Sequence, residues 1–239
     1  MGALFIFAMT VLGAALVFFF RGEIHVRIQR ICFGFAAGVM CAAAVFSLLL
    51  PALQEGSLGS VCLSFAAGAG LLLMMDAVFD RLPQMKAAQS SDRRGVLLFA
   101  AMTLHNIPEG MAVGLAFAQA ADGSLAPAAA AALAAGIGLQ NLPEGAAISL
   151  PMRQNGESRA RSFLAGVLSG AAEPVFALAA VSAASAAQPA MPALMAFSAG
   201  AMMLVVFSHM LPQAAAERDG ALCAMMGFVL MMAMDVGLG

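Results

Sequence analysis

The feature that most constrains this chain is a pair of nearly identical polar segments, each in the middle of a long apolar run. The sequence reads LHNIPEG at residues 104–110 and LQNLPEG at residues 139–145. An ionisable side chain inside a membrane is costly and therefore calls for a functional reason. We expect the rest of the chain to form a scaffold that holds these two segments face to face.

The composition places the chain in a membrane. Hydrophobic residues make up 62% of it, charged residues only 10%, and the mean hydropathy is +0.94, whereas a soluble domain carries about 25% charged residues. The lipid bilayer is thus a predicted partner. No basic patch with interleaved aromatic residues occurs, so nucleic acid is not among the predicted partners.

Apolar runs of about 20 residues, the length that crosses a bilayer, recur eight times. We predict helices, because a closed barrel would need strands of about ten residues with alternating polarity, and that pattern is absent. The predicted fold is a single all-α transmembrane domain over residues 1–239. Its spans are 3–20, 31–53, 58–79, 96–119, 127–150, 162–185, 191–213 and 220–238.

The connections between the spans alternate in charge. The second, fourth and sixth contain no Lys or Arg, and the seventh contains only Arg218. The first, third and fifth contain the other ten of the eleven basic residues: Arg21, Arg27, Arg30, Arg81, Lys86, Arg93, Arg94, Arg153, Arg159 and Arg161. By the positive-inside rule these connections face the cytoplasm, and an even number of spans leaves both termini extracytoplasmic. We therefore expect a multi-pass protein of the cell (inner) membrane.

Two further segments resemble each other. FAAGVM at residues 35–40 leads to Leu50-Pro51, and FSAGAM at residues 197–202 leads to Leu211-Pro212. They lie in spans 2 and 7, which run in opposite directions, as do spans 4 and 5. This pattern predicts a 3+2+3 arrangement with an inverted repeat, which is typical of secondary transporters. The match is short, and chance similarity between Ala-rich helices is the alternative.

Helical spacing brings the polar side chains of each central segment onto one face, because positions i, i+3 and i+4 are neighbours. Counted from the cytoplasmic ends of the spans, both segments lie at one depth, and so does an acid of span 6. The predicted cluster holds one imidazole, three carboxylates and three carboxamides: His105, Asn106, Glu109, Gln140, Asn141, Glu144 and Glu173.

A proline precedes each central glutamate, at Pro108 and Pro143. Proline has no N–H and crowds the carbonyl four residues earlier. We therefore expect each helix to be kinked or loosened at its polar face, with freed carbonyls near the cluster.

The predicted cluster needs positive charge, because neighbouring carboxylates repel one another unless they are protonated or bind a cation. No Lys or Arg lies at this depth, so we predict a bound metal ion. Imidazole with several oxygens suits Zn²⁺, Fe²⁺, Mn²⁺ or Cd²⁺, and the absence of a thiolate argues against Cu⁺. The structural alternatives are a packed, hydrogen-bonded histidine and Pro-Glu pairs that act only as kinks.

A weaker set of residues marks a pathway to and from the cluster. Met40 and Ser47 lie seven residues apart in span 2, and Met202 and His209 do so in span 7. Each pair thus shares a helix face. Asp76 lies at the cytoplasmic end of span 3, where it can meet an arriving or departing ion. The alternatives are apolar packing for the methionines and a solvated helix end for Asp76.

At these residues the chain resembles the ZIP family of divalent-metal transporters. Residues 105–110 match the HNxPEG motif of the family's fourth helix, residues 140–145 match the related motif of its fifth, and Glu173-Pro174 match the acid of its sixth. The resemblance covers essentially the whole chain, and the paired PEG motifs are highly specific.

The resemblance implies a transport site for two metal ions. It assigns the primary position to four residues: His105, Glu109, Gln140 and Glu144. It adds three more to the shared glutamates in an adjacent position: Asn106, Asn141 and Glu173. Met40, Ser47 and Met202 match positions along the outer approach of bacterial members. The family is thought to move a metal-carrying bundle past a static helix group, often within a dimer, so a homodimer is an implied partner.

Two positions depart from the family pattern. Many relatives have His where Gln140 stands, and some bacterial relatives have Asp where Asn141 stands. The second difference removes a negative charge and argues against full occupancy of the adjacent position. The connection between spans 3 and 4 is short and contains no His, unlike the His-rich loops of many relatives.

The sequence thus predicts a carrier that brings Zn²⁺ toward the cytoplasm by elevator-like alternating access, with Fe²⁺, Mn²⁺ and Cd²⁺ as further candidate substrates. It predicts neither enzymatic activity nor an organic cofactor. A passive divalent-metal channel with the same ligands is the first alternative. An intramembrane zinc hydrolase is the second, and the lack of an HExxH motif disfavours it.

Overall fold

The computed structural model describes residues 1–19, 26–81, 90–123, 125–154 and 156–238. Nearly all of these residues are helical and none of them lies in a strand, which confirms the all-α class. A 3₁₀ turn, Leu16–Phe19, extends the first helix. The helices are α1 (Gly2–Ala15), α2 (Val26–Ala43), α3 (Leu50–Glu55), α4 (Leu58–Arg81), α5 (Ser90–Asp122), α6 (Pro127–Gln154), α7 (Arg159–Gly170), α8 (Ala172–Ser182), α9 (Ala184–Val205), α10 (Leu211–Ala214) and α11 (Arg218–Leu238).

Seven helical stretches of the described residues are long and apolar enough to cross a membrane: Gly2–Phe19, Val26–Glu55, Leu58–Val78, Gly95–Asp122, Arg159–Ser182, Gln188–Ala214 and Arg218–Gly237. They correspond to seven of the eight predicted spans. The remaining one, predicted at 127–150, is the continuous 28-residue helix α6, which is about 42 Å long at 1.5 Å per residue. Its polar segment lowers its hydropathy, so the count of eight spans remains a prediction.

The sixth predicted span is not one continuous helix. α7 ends at Gly170, Ala171 forms a turn, and α8 begins at Ala172, so Glu173 lies in the first turn of α8. The predicted span is therefore interrupted directly beside Glu173.

Two spans contain a π-helical segment at matching places. Ala44–Leu49 follows α2, and Val206–Met210 follows α9. Each directly precedes a Leu-Pro pair, at residues 50–51 and 211–212, and proline lacks the N–H that a regular helix would use there. Short π segments often lie at functional sites. The two segments that resemble each other in sequence thus share one local distortion.

Four helix pairs make the most extensive contacts: α2 with α11, α1 with α6, α4 with α9, and α5 with α8. Glycine permits close approach in these pairs. Gly200 of α9 lies against the backbone of Phe65, and Gly68 of α4 lies against that of Phe197. Close packing of this kind holds membrane helices together, because lipid removes the hydrophobic drive for their association.

Two ion pairs join the start of α2 to the start of α11. Arg27 Nη2 lies 2.6 Å from Asp219 Oδ2, and Arg30 pairs with Glu217. The first and seventh connections therefore lie at the same end of the molecule, as the predicted topology requires. Of the basic residues behind that prediction, Arg21 and Lys86 lie outside the described residues.

Gly68→Ala should destabilise the protein, whereas Gly70→Ala, two residues away on the same helix, should not. A Cβ at Gly68 would collide with the backbone of Phe197, while nothing lies within 4 Å of a Cβ at Gly70. Overpacking costs about 1–3 kcal/mol, and Ala is the better helix former at an open position. Thermal unfolding in detergent measures both variants. Equal melting temperatures would contradict the packing of α4 on α9.

Candidate metal centre

The contact between α5 and α6 brings the two central segments together. His105 Nε2 lies 3.1 Å from Glu109 Oε1 and 3.2 Å from Glu144 Oε1. All three side chains are at most 3% exposed, and their ligand atoms lie within 4.8 Å of one another. Among the described residues, this is the one group of three His, Cys, Asp or Glu side chains arranged so closely.

Gln140 completes a cluster of four side chains. Its Nε2 donates a hydrogen bond to Glu109 Oε1, the same oxygen that His105 Nε2 approaches. Gln140 is buried as well. The four residues expected at the primary position therefore form one connected group, two from α5 and two from α6.

The spacing within this cluster suits a small divalent ion. Zn²⁺ binds His nitrogen and carboxylate oxygen at about 2.0–2.2 Å, so two ligand atoms of a tetrahedral site lie about 3.3–3.6 Å apart. The observed separations of 3.1 and 3.2 Å need only a slight expansion to reach that range. The cluster is thus close to the geometry that ligation requires.

Many polar atoms of the candidate ligands have no hydrogen-bond partner within the protein. Buried polar atoms are usually paired, so such a concentration of unpaired acceptors at one place favours a cation as their partner. The acceptor atoms are Asn106 Oδ1, Glu109 Oε2, Asn141 Oδ1, Glu144 Oε2 and Glu173 Oε2; the remaining unpaired atom is His105 Nδ1, which carries the proton when Nε2 binds an ion.

Glu173 lies beside the cluster of four. Its side chain is fully buried, and Gly110 packs against its backbone. Its carboxylate is within electrostatic reach of Glu109 and Glu144. Thr10 Oγ1 of α1 donates a hydrogen bond of 2.7 Å to Glu173 Oε1. The three predicted acids are therefore buried near one another, and a threonine that the sequence did not single out holds the third.

The two asparagines are oriented by neighbouring helices. Asn106 Nδ2 donates to Ser169 Oγ of α7, and Asn141 Nδ2 donates to the carbonyl oxygen of Ile6 in α1, each at 3.3 Å. Both asparagines keep Oδ1, the amide atom that can bind a cation, without a partner in the protein. The residues expected at the adjacent position thus depend on α1 and α7 for their orientation.

Both site helices continue through their prolines. Pro108 cannot donate to the carbonyl of Leu104, and Ser198 Oγ of α9 donates to that oxygen at 2.8 Å. Ser198 belongs to the FSAGAM segment. The FSAGAM segment of α9 therefore satisfies a backbone group that the site motif leaves free.

A cavity of about 540 Å³ contacts the cluster, and Glu109, Gln140, Ser47 and Asp235 all line it. Ser47 Oγ donates to the Asp235 carboxylate and lies 2.9 Å from each of its oxygens. The sequence predicted a pathway role for Ser47 but none for Asp235, which lies far along the chain from every motif. The cavity thus connects a further carboxylate to the cluster.

The other predicted pathway residues lie elsewhere. Met40 and Met202 are fully buried in the main apolar core and are not among the described residues that line the large cavity. Asp76 and His209 lie together at a separate cavity of about 50 Å³. Helical spacing identifies residues that share a face, but it does not tell whether that face meets the core or a cavity.

Comparison with known proteins gives a consistent result. The family model described as ZIP Zinc transporter matches residues 83–235. The chain is 34% identical to zinc transporter ZIP11 of Homo sapiens, over 100% of this chain and 96% of that protein. It is 37% identical to zinc transporter GufA of Myxococcus xanthus, over 81% of each chain. It is 34% identical to zinc transporter ZIPB of Bordetella bronchiseptica, over 98% of this chain and 79% of that protein.

Glu109→Gln should weaken Zn²⁺ binding by more than about tenfold, because even a group that only supports a metal ligand is worth about 10–100-fold in affinity. Glu55→Gln, at the exposed end of α3, makes the same chemical change away from the cluster and should bind normally. Zinc per chain, measured by mass spectrometry after equilibrium dialysis, compares the two. Equal zinc content in both variants would place the ion elsewhere.

Proposed function

The chain belongs to the ZIP family of zinc transporters, and we propose that it carries Zn²⁺ across the cell membrane toward the cytoplasm. Membership in the family supports divalent metal transport, and the relatives compared above are named zinc transporters. The proposed binding site is the cluster of His105, Glu109, Gln140 and Glu144. Its nitrogen and oxygen ligands also suit Fe²⁺, Mn²⁺ and Cd²⁺.

One observation carries this proposal: three buried glutamates lie close together, and the only basic side chain among the described residues buried with them is His105. Glu109, Glu144 and Glu173 are each at most 3% exposed, and the buried part of the described chain includes no Lys or Arg. Two carboxylates that share the imidazole of His105 still need positive charge. A divalent ion supplies it at the place where the ligand atoms converge.

We assign a second ion to the adjacent position. The side chains that surround this position are Asn106, Asn141 and Glu173, and each has an oxygen without a hydrogen-bond partner. Asn141 carries no charge, so this position binds more weakly than the primary one. A binuclear site in which the second ion is loosely held follows from this difference.

Helix pairing supports eight spans in a 3+2+3 arrangement. In the proposed inverted repeat, α1 corresponds to α7–α8, α2–α3 to α9–α10, α4 to α11, and α5 to α6. The repeat then makes the contact of α2 with α11 equivalent to that of α9 with α4. It likewise makes the contact of α1 with α6 equivalent to that of α8 with α5. These are the four most extensive helix contacts. In this arrangement α6 is the fifth span, the chain forms one domain, and both termini are extracytoplasmic.

The mechanism that we propose depends on charge neutralisation. The site residues and their hydrogen-bond partners lie on α1, α5, α6, α7 and α8, whereas α2 pairs with α11 and α4 with α9. A bundle of the first group carries the cluster past the second in elevator-like motion. The loaded site is nearly neutral and crosses the apolar barrier, and the empty, charged site does not.

The large cavity is the proposed outer approach. Asp235 lies near the end of α11 that the predicted topology makes extracytoplasmic, and it shares the cavity with Glu109. A carboxylate in such a cleft raises the local concentration of cations.

A homodimer is a further proposal, for which α4 offers a largely exposed face, since only 17% of its apolar stretch is buried.

Glu144→Ala should abolish Zn²⁺ uptake into proteoliposomes, because the cluster then holds one carboxylate in place of two. Glu157→Ala removes a partly exposed acid that pairs with Arg161 in the described part of the chain, away from the cluster, and should transport normally. Uptake that saturates at low Zn²⁺ in the wild type distinguishes a carrier from a channel. Normal uptake by correctly inserted Glu144→Ala protein would refute the site.

Asp235→Asn should raise KM for Zn²⁺ several-fold, with a smaller effect on the maximal rate, because it removes charge from the approach and not from the cluster. Electrostatic capture of this kind changes association rates by about tenfold or more. Asp219→Asn is the matched control, since it makes the same change at the other end of α11. An Asp235→Asn protein with the KM of the control would remove this cavity from the pathway.

A further inference from the structure

We infer that Thr10 is a positioning residue for Glu173, and that it sets the affinity of the second divalent ion. This inference rests on the proposed function, since it concerns the same transport site. α1 contains no charged side chain, and no motif of the sequence points to it. Toward the site it supplies a hydroxyl group, from Thr10, and a backbone carbonyl, from Ile6.

The hydrogen bond fixes one half of the Glu173 carboxylate. Thr10 is 1% exposed, and its Oγ1 lies 2.7 Å from Glu173 Oε1 and 3.3 Å from the carbonyl oxygen of Ile6. A hydroxyl has one hydrogen to donate, and the shorter contact takes it. Oε2 of Glu173 has no partner within the protein. The bond thus occupies one carboxylate oxygen and leaves the other for a cation.

Glycine contacts show that Thr10 and Glu173 hold equivalent places. Gly110, which follows the first central glutamate, packs against the backbone of Glu173. Gly145, which follows the second, packs against the backbone of Thr10 in the same way. The glycine of each motif therefore allows one neighbouring helix to approach the site closely: α8 at the first motif and α1 at the second.

The asparagine contacts repeat this relation. Asn106 donates to Ser169, which is four residues before Glu173, and Asn141 donates to Ile6, which is four residues before Thr10. At equivalent positions of the proposed inverted repeat, α8 thus carries a carboxylate, that of Glu173, and α1 carries a hydroxyl, that of Thr10. The two groups meet in the hydrogen bond between Thr10 and Glu173.

Packing holds the Thr10 side chain in one orientation. A Cβ added at Gly170 would lie 2.8 Å from Thr10 Cγ2, so the methyl group fills the space beside that glycine. A threonine whose methyl group is held this way has its hydroxyl direction set as well. Glu109 and Glu144 repel the Glu173 carboxylate, and the fixed hydroxyl keeps it from turning away. Preorganisation of this kind increases affinity because less order is lost on binding.

The test compares Thr10→Val, which keeps the side-chain shape without the hydroxyl, with Thr10→Ser, which keeps the hydroxyl. Zn²⁺ binding is followed by calorimetry in detergent, and uptake is followed in proteoliposomes. We expect two binding events in the wild type. Thr10→Val should leave the tighter event unchanged and weaken the other about tenfold, and Thr10→Ser should restore it. In a Glu173→Ala background, Thr10→Val should have no further effect, because the acceptor of its hydrogen bond is already gone.

Three results would overturn the inference: a single binding event in the wild type, additive effects of Thr10→Val and Glu173→Ala, or a loss in Thr10→Ser as large as in Thr10→Val. The last two would mean that Thr10 acts through packing of α1 alone. Failure of the proposed function is a separate outcome. In that case the wild-type protein binds Zn²⁺ and accumulates none in proteoliposomes.

Discussion

Carboxylates buried among apolar helices need a partner of opposite charge, and this requirement explains why so many features of the protein meet at one place. The two PEG motifs supply glutamates from α5 and α6, and the break before α8 supplies the third. Around them the described residues that are buried offer one imidazole and several amide oxygens but no Lys or Arg. A divalent cation balances the charge of such a cluster, and it is also what a transporter must hold and then release.

The scaffold serves the same requirement. Close approach of α1 to α6 and of α5 to α8 depends on the glycines that follow the two glutamates, because any larger residue would push the helices apart. Ser198, in the FSAGAM segment of α9, donates a hydrogen bond to the carbonyl of Leu104, which Pro108 leaves without its helical partner. Sequence features that read as separate motifs are therefore parts of one arrangement around the site.

The residues of the cluster can be proposed from the sequence because their spacing is local. His105 and Glu109 are four residues apart on one helix, and the second motif repeats the pattern, so spacing alone places them on one face. The partners of Glu173 and Ser47 are different. Their contacts with Thr10 and Asp235 join residues 163 and 188 positions apart, and nothing within a single sequence indicates such pairs.

The helix that departs most from its expected pattern is the one that carries half of the site. α6 is long enough to cross a membrane, yet the polar residues of its motif make it less apolar than the other spans. Local rules are expected to fail where function requires it. The break between α7 and α8 is a second case, since the sequence predicts one span at 162–185 while the helix is interrupted beside Glu173.

X-ray absorption at the zinc K-edge of the metal-loaded protein tests the central claim most directly, because it reports the atoms bound to the ion. The account predicts a first shell of nitrogen and oxygen only, at about 2.0–2.2 Å, with the multiple scattering of a single imidazole from His105. Sulfur scatterers at about 2.3 Å would assign the ion to cysteines, and a shell without imidazole would exclude His105. Either result would contradict a transport site built on the two motifs.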